Sequence, residues 1–473
     1  MNTRLESFKQ LIKGRKIAVL GVGISNRPLI RFLHRFEAVI TAFDMLDSND
    51  PVLLRSKNDF ENEGIMLDWS TGPEYLSKLT GFDIIFRTPK MRFDLPELVA
   101  ERARGAVITS EMEVFMDLCP AKIWAVTGSD GKTTTTTLIS LILKESGYKV
   151  HLGGNIGTPL LDRIEQINPE DAVVLELSSF QLISMRKSPD IAVITNITPN
   201  HLDVHLDFEE YISAKKNIFL YQSFNDRLVL NIDNEITGSF NLEARGFVSW
   251  FSRLDKSIIP AAVLSDGWLC WQDQKGVIPV VKAEDIVIPG KHNIENYLAA
   301  ISAVWGYAGA EAIRAVATAF GGVEHRLELV RELDGIRYYN SSIDTSPTRS
   351  IAALSALSDR GERAVLIMGG QDKKCDYSGL GLAIIKVSRK IILCGDNSDL
   401  IEKSIRSEAV PAGVNPDELT IIRCSTYEES VQKAREISTP GEVVVLTPAG
   451  TSFDKFRHFE ERGNLYKRLV NQL

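Results

Sequence analysis

Cysteine is scarce and scattered: five in 473 residues, Cys119, Cys270, Cys375, Cys394 and Cys424, with no C-x-x-C pair and no histidine at zinc-finger spacing. That excludes a disulfide scaffold and a zinc finger and suits free thiols in a reducing compartment. Long apolar runs are missing too. None approaches the ~18–20 residues that cross a bilayer, so no membrane insertion is expected. The basic start, MNTRLESFKQLIKGRK, precedes an apolar run broken by glycine, without a small-residue cleavage site, and the expectation is a cytoplasmic protein. Excess positive charge is absent as well: 54 Lys and Arg face 62 Asp and Glu, for a net charge of −8, which argues against nucleic-acid binding. No solenoid repeat or low-complexity tract is present, and nothing points beyond a monomer.

What the chain does have is length and periodicity. With 44% hydrophobic residues over 473 positions, two to four domains of ~100–200 residues are expected. Three stretches repeat a short β-branched run, a glycine or polar turn, then a helix-period segment, the grammar of parallel α/β sheets. The first holds Lys16–Gly21, Val39–Asp44, Phe82–Phe86 and Val107–Ile108. The second holds Lys122–Thr127, Ala172–Leu177, Ile191–Asn196 and Leu228–Asn231, and the third Ala364–Met368, Lys390–Cys394 and Val443–Thr447. Between Ser249 and Ile288 short alternating strands predict an antiparallel insertion, followed by a helix over Asn293–Tyr307.

The strongest local signal is Thr127-Gly128-Ser129-Asp130-Gly131-Lys132-Thr133-Thr134, after an apolar strand and before the helical stretch Leu138–Ser146. Backbone amides of such a loop converge on phosphate oxygens, the lysine neutralises charge, and the hydroxyl after it can ligate Mg²⁺. Val126 stands where a full P-loop has glycine, so an ordinary strand-to-helix turn is the bland alternative. Five successive threonines, Thr133–Thr137, make a poor helix start; hydroxyls facing phosphate and metal would explain part of the run. A second glycine turn, Gly21-Val22-Gly23-Ile24-Ser25-Asn26, follows the first strand, with Asp44 ending the next. Asn26 replaces the third glycine of a dinucleotide fingerprint, leaving three readings: a nicotinamide cofactor, the diphosphate of a nucleotide-sugar, or no ligand. Glu176, His201 and Lys215 follow strands of the middle stretch, where an open α/β sheet places its ligands. Glu176 and His201 could hold a metal ion, or all three could be ordinary solvated groups.

Eight segments then carry a resemblance across nearly the whole chain: TGSDGKTT (127–134), GGNIGTPLL (153–161), LELSSFQL (175–182), NITPNHLDVH (196–205), AKKNIF (214–219), PGKHNIENYLAA (289–300), EHRLE (324–328) and TPAGTSFDKFRHFEERG (447–463). In this order they resemble the Mur ligases. LELSSFQL and the C-terminal segment resemble the branch that adds D-glutamate to UDP-N-acetylmuramoyl-L-alanine. The resemblance implies three α/β domains: an N-terminal Rossmann-like domain (1–110) for the UDP-sugar, a central P-loop ATPase-like parallel sheet with a small antiparallel insertion (111–322), and a C-terminal Rossmann-like domain (323–473) for the amino acid. It implies that Gly128, Ser129, Asp130, Gly131, Lys132, Thr133 and Thr134 hold ATP phosphates, with Asn293 and Asn296 on the adenine side and Arg326 reaching the phosphates. Two Mg²⁺ sites would draw on Thr133, Glu176 and His201, supported by Lys215 carbamylated by CO₂. Lys132, Glu176, His201, Lys215 and Arg326 would form the catalytic set. Ile24, Ser25, Asp44 and Asn155 would meet the UDP-sugar, and Thr345, Lys373, Ser452 and Phe459 the D-glutamate.

The chain departs from the family's N-D-S-K-A-T-N segment, reading Asn340-Ser341-Ser342-Ile343-Asp344-Thr345-Ser346. The family acid and lysine are absent at Ser341 and Ile343, and Lys373 or Arg349 is expected to supply the cation. Met45, Leu46 and Lys90 also depart from the family's pattern in the N-terminal region. A folylpolyglutamate synthetase, another Mur ligase, or a regulatory nucleotide binder without catalysis are the competing readings.

Overall fold

The computed structural model describes residues 2–23, 25–199, 205–288, 290–372 and 375–473. Near-continuous apolar runs are what strands covered on both faces require, and they build three sheets. The first comprises β1 (Lys16–Leu20), β2 (Val39–Asp44), β3 (Asp68–Thr71), β4 (Ile84–Arg87) and β5 (Val107–Thr109), all parallel, in the order β3-β2-β1-β4-β5.

The second has nine strands: β6 (Lys122–Thr127), β7 (Val150–Gly154), β8 (Ala172–Glu176), β9 (Ile191–Ile194), β10 (Arg227–Asn231), β11 (Phe247–Ser252), β12 (Ala261–Ser265), β13 (Trp268–Asp273) and β14 (Gly276–Lys282). Their order is β14-β13-β12-β11-β10-β9-β6-β8-β7. The expected antiparallel strands are present and extend this sheet: β11 and β12 still pair in parallel, with Trp250 opposite Ala261, and antiparallel pairing runs from β12 through β13 to β14. The reason is burial. Ala261, Ala262 and Val263 are fully enclosed, so the segment extends the covered sheet, and Trp271 stacks on Trp305 with ring centroids 5.1 Å apart.

The third sheet holds β15 (Glu328–Leu333), β16 (Ile336–Asn340), β17 (Ala364–Met368), β18 (Ser388–Leu393), β19 (Thr420–Arg423) and β20 (Val443–Leu446) in the order β15-β16-β20-β17-β18-β19, with β15 antiparallel at the edge. The chain divides into two compact units, residues 1–319 and 320–473. The first two sheets share the first unit, and one apolar cluster runs from Val19 and Leu33 through Phe115 and Leu161 to Leu175 and Ala192. Among the described residues no helix is long and apolar enough to cross a membrane.

Candidate active site

β6 runs directly into the glycine loop, and the helix after it begins at Lys132, takes in the threonine run and continues to Glu145. Two glycines are required by space. A Cβ on Gly128 (φ +147°) would lie 1.9 Å from Thr195 Oγ1, and one on Gly131 (φ +77°) 2.3 Å from Asn296 Oδ1. The loop is held from the end of β9: the Ser129 amide donates to the Asn196 carbonyl (2.9 Å) and the Asp130 amide to Asn196 Oδ1 (2.9 Å). Ser129 Oγ donates to the Thr198 carbonyl (2.9 Å) and lies 2.9 Å from the Tyr211 hydroxyl. Lys132 Nζ folds back on the Gly128 and Ser129 carbonyls at 3.0 and 2.9 Å. The threonine run turns out mostly structural. Thr135 donates to Asn296 Oδ1 (3.3 Å), Thr136 Oγ1 is buried, and Thr137 donates to the Thr133 carbonyl (2.8 Å), which leaves Thr133 and Thr134 in the first turn.

Lys215 lies on the helix Phe208–Lys216, and the reading as a wet helix face is excluded: it is 1% exposed, whereas Lys216 pairs with Glu243 nearer the surface. Lys215 Nζ donates to the Gly128 carbonyl (2.7 Å) and Thr127 Oγ1 (3.3 Å), 4.7 Å from the Tyr211 ring centre. Burial, and then the nearby Lys132 charge, push its pKa well below the ordinary lysine value. Glu176 closes β8, also 1% exposed. Its Oε1 accepts from Asn155 Nδ2 (2.8 Å), while Oε2 has no hydrogen-bond partner among the described residues. An orphaned carboxylate oxygen in a buried place is costly, and a cation is the ligand that suits it. Among the described residues no three His, Cys, Asp or Glu side chains converge; Mg²⁺ does not need them, because it takes one or two carboxylates with phosphate oxygens and water. His201 lies outside the described residues. Asn293 and Asn296 are buried on the helix Lys291–Val304, with Asn296 Nδ2 donating to Asn293 Oδ1 (3.1 Å), so the pair braces the loop helix.

In the N-terminal layer Asp44 is committed to the glycine turn. Its Oδ2 accepts from the Val22 amide (2.8 Å) and its Oδ1 from the Leu46 amide (3.1 Å). Asn26, in place of the third glycine, donates to the Leu20 and Gly21 carbonyls. Ile24 lies outside the described residues. Ser25 lines a small cleft with Arg87, Glu111, Gly154 and Gln181. Arg87 is buried at the end of β4, donating to Ser184 Oγ (2.5 Å) and the Met91 carbonyl (2.8 Å).

In the second unit the turn after β16 and the loop after β20 are stitched together. Thr447 Oγ1 donates to Asp344 Oδ2 (2.8 Å), and burial pushes the Asp344 carboxyl up to about 7. Ser342 Oγ donates to the Phe459 carbonyl (2.7 Å). Arg462, fully buried, donates to Ser342 and to the Gly450 and Thr451 carbonyls at 2.9–3.2 Å. Ser452 is buried at this loop, Thr345 sits in the turn, and Arg326 is exposed ahead of β15. Arg349 donates to the Ile343 carbonyl (3.1 Å); Lys373 lies outside the described residues.

Two domain families match this chain: the Mur ligase middle domain over residues 126–304 and the Mur ligase glutamate ligase domain over 325–450. A UDP-N-acetylmuramoylalanine--D-glutamate ligase from Acetivibrio thermocellus is 53% identical over 475 residues, and one from Ruminiclostridium cellulolyticum is 50% identical over 473, each match covering 100% of both chains. The chain belongs to the Mur ligase family. The UDP-N-acetylmuramate-alanine ligase MurC of Thermotoga maritima shares the fold, with a TM-score of 0.55 at 18% identity over 97% of this chain and 99% of that one.

In this Mur ligase Lys132 and Lys215 both donate to the Gly128 carbonyl, Thr133 follows in the first turn, Asn293 and Asn296 brace the loop helix, and Asn155 bonds Glu176 at the end of β8. Arg87, Glu111, Asp344 and Arg462 were not singled out in the sequence as site groups, although an arginine ending the buried run Ile84–Arg87 and one on the apolar stripe of a helix are readable signals. Glu111 offers a test. Its Oε1 accepts from the Leu161 amide (3.1 Å), and burial pushes its carboxyl up to about 7. Unfolded glutamate loses its proton near pH ~4.3, so between there and about 7 the folded ligase keeps a proton the unfolded chain has released. Stability therefore falls as pH rises through that window, and the cost is complete above it. Glu111→Gln is expected to be more stable than wild type at pH 8 by on the order of 1–3 kcal/mol, seen as a higher melting temperature. The gap should close toward pH 4.5, as thermal melts across pH will show.

Proposed function

We propose that this Mur ligase joins D-glutamate to UDP-N-acetylmuramoyl-L-alanine at the expense of ATP, through an acyl phosphate, in the cytoplasmic synthesis of peptidoglycan precursors. The observation that carries the reading is the enclosed set of Lys132, Lys215 and the half-satisfied Glu176 around a glycine loop, in a chain whose full-length relatives bear that ligase name. Residues 1–110 serve the UDP-sugar, 111–322 ATP and 323–473 the amino acid, in a monomer.

The substrate carboxylate attacks the γ-phosphate of ATP, breaking its bond to the β-phosphate oxygen and releasing ADP. The D-glutamate amine then adds to the acyl carbon, and the tetrahedral intermediate collapses to the amide with loss of inorganic phosphate and a proton. Nucleophile and phosphate are both anionic, so the barrier is largely electrostatic and positional. The loop Gly128–Thr134 cradles the phosphates through the amides of Gly131–Thr134, those of Ser129 and Asp130 being held by Asn196. Lys132 moves from the loop carbonyls to the transferred group, and Arg326 adds a second cation. Asn293 and Asn296 brace the loop helix on the adenine side. Ser25 and Asn155 orient the UDP-sugar, with Asp44 fixing the turn through which Ile24 and Ser25 pass. Ser452, Phe459, Thr345 and Lys373 take up D-glutamate, and Arg349, beside Ile343, supplies the cation that position 343 lacks. Mg²⁺ would be held by Thr133 and Glu176, and at a second site by His201, with carbamylated Lys215 in support; it supplies charge neutralisation on the phosphates. The test is phosphate release from ATP with UDP-N-acetylmuramoyl-L-alanine and, in turn, D-Glu, L-Glu, L-Lys and glycine. Turnover with D-Glu alone is expected. Turnover with another amino acid sinks the specificity, and turnover with none favours a regulatory nucleotide binder.

A further inference from the structure

The two layers of the first unit meet mainly through apolar side chains, and apolar burial is non-directional. It holds the layers together without fixing their register to the fraction of an ångström that in-line transfer needs. Polar contacts also cross between them, among them Arg87 to Ser184 Oγ (2.5 Å) and Lys9 to Glu165 (2.7 Å), and one chain of such contacts leads on to the phosphate loop. Arg92, in the loop after β4, donates two bonds to Glu210 on the helix Phe208–Lys216, at 2.9 and 3.1 Å. Asp94 holds the other edge of the same guanidinium at 2.7 and 2.8 Å. Forked arginine–carboxylate pairing of this kind is directional as well as strong.

Beyond Glu210 the chain branches toward the site. Glu210 Oε2 accepts from the Leu206 amide (2.8 Å) and lies 3.3 Å from Nδ1 of His205, which is 4% exposed. His205 Nε2 is 2.9 Å from Ser179 Oγ, in the segment that follows Glu176. Its ring stacks on Phe180 at 5.4 Å and meets the edge of Tyr211 at 5.4 Å. Tyr211 in turn touches Ser129 of the phosphate loop and lies under the Lys215 ammonium. Burial lowers the His205 pKa; Nε2 shares a hydrogen bond with the Ser179 hydroxyl, while Nδ1 lies close to Glu210 Oε2 without a hydrogen bond between them.

We infer that Arg92, Glu210 and His205 are positioning residues that register the nucleotide-sugar layer against the phosphate loop, so that the substrate carboxylate meets the γ-phosphate in line. This rests on the ligase reading above. The chain touches neither ligand; it acts through Tyr211, Ser179 and the helix that carries Lys215. A displacement of ~1 Å between reacting groups costs on the order of 10²-fold in rate.

The experiment compares Arg92→Ala, Glu210→Gln, His205→Phe, which keeps the ring stacking, and the Arg92→Ala/Glu210→Gln double variant. Nucleotide-sugar-dependent phosphate release is followed with whichever amino acid the wild type accepts. Each single variant should lose ~10- to 100-fold in kcat with the KM for ATP and the melting temperature close to wild type, and the double should be no slower than the worse single. A kcat within twofold of wild type in the singles, losses that multiply in the double, or losses that track a falling melting temperature would each overturn the inference. Failure of the D-glutamate reading shows separately, in the wild-type amino-acid panel.

Discussion

Replacing Lys132 with alanine is expected to lower kcat by about 10³-fold, while the KM for D-glutamate and the melting temperature of the nucleotide-free enzyme change little. Without ATP, the Lys132 ammonium rests on the Gly128 and Ser129 carbonyls at 3.0 and 2.9 Å. Those are backbone acceptors of a loop whose amides are already anchored by Asn196. Each such hydrogen bond contributes on the order of 1 kcal/mol to folding, so their loss is small against global stability. In the reaction the same ammonium has a larger task, because charge gathers on the transferred phosphoryl group in a place shielded from water. Lys132→Arg keeps the charge, but a broad planar fork replaces the compact ammonium that rests on the Gly128 and Ser129 carbonyls; it should recover little. A fall of less than tenfold in kcat for Lys132→Ala would mean that the loop does not hold the reacting phosphate.

The parallel strands were legible in the sequence because both faces are buried, which leaves runs such as KIAVL, KIWAVT and AVLIM unbroken by charge. β3 (DWST) and β7 (VHLGG) escaped because polar residues and glycines dilute that signal. The glycine loop after β6 was legible because its glycines answer a steric demand. Lys215 was only half legible. Beside Lys216 it looks like a wet surface residue, yet Tyr211, Ala214, Lys215 and Ile218 fall at i, i+3, i+4 and i+7, and all four are buried. The apolar stripe therefore runs through the lysine. Arg462 follows the same rule on the helix Phe459–Gln472, in line with Tyr466 and Val470. Spacing alone could not reveal what Asp44 and Asn296 do, because both spend their side chains on neighbouring backbone or hydroxyl groups. Bonds of that kind depend on how the chain returns in space, not on sequence interval.

Lys215→Ala should abolish turnover by about 10³-fold or more, and what restores it discriminates between two roles for the lysine. In the ligand-free fold its amine sits beside Gly128 and Thr127, and burial together with Lys132 disfavours its charged form. A neutral amine is the form that reacts with CO₂: the nitrogen lone pair forms the N–C bond, one C=O π pair moves to oxygen, and a proton leaves, so that a cation is exchanged for a carbamate anion. With Glu176 Oε2 nearby in charge terms and lacking a partner among the described residues, a second anion in this place favours a bound divalent cation, whereas an ammonium repels one. If the working form is the carbamate, formate or acetate entering the space vacated in Lys215→Ala should recover part of kcat, and wild-type activity should fall in CO₂-depleted buffer and return with bicarbonate. If the working form is the ammonium, small amines should rescue instead and bicarbonate should have no effect. The two outcomes are opposite in the charge of the rescuing molecule, so a plain loss of packing, which neither ion repairs, is separable from both.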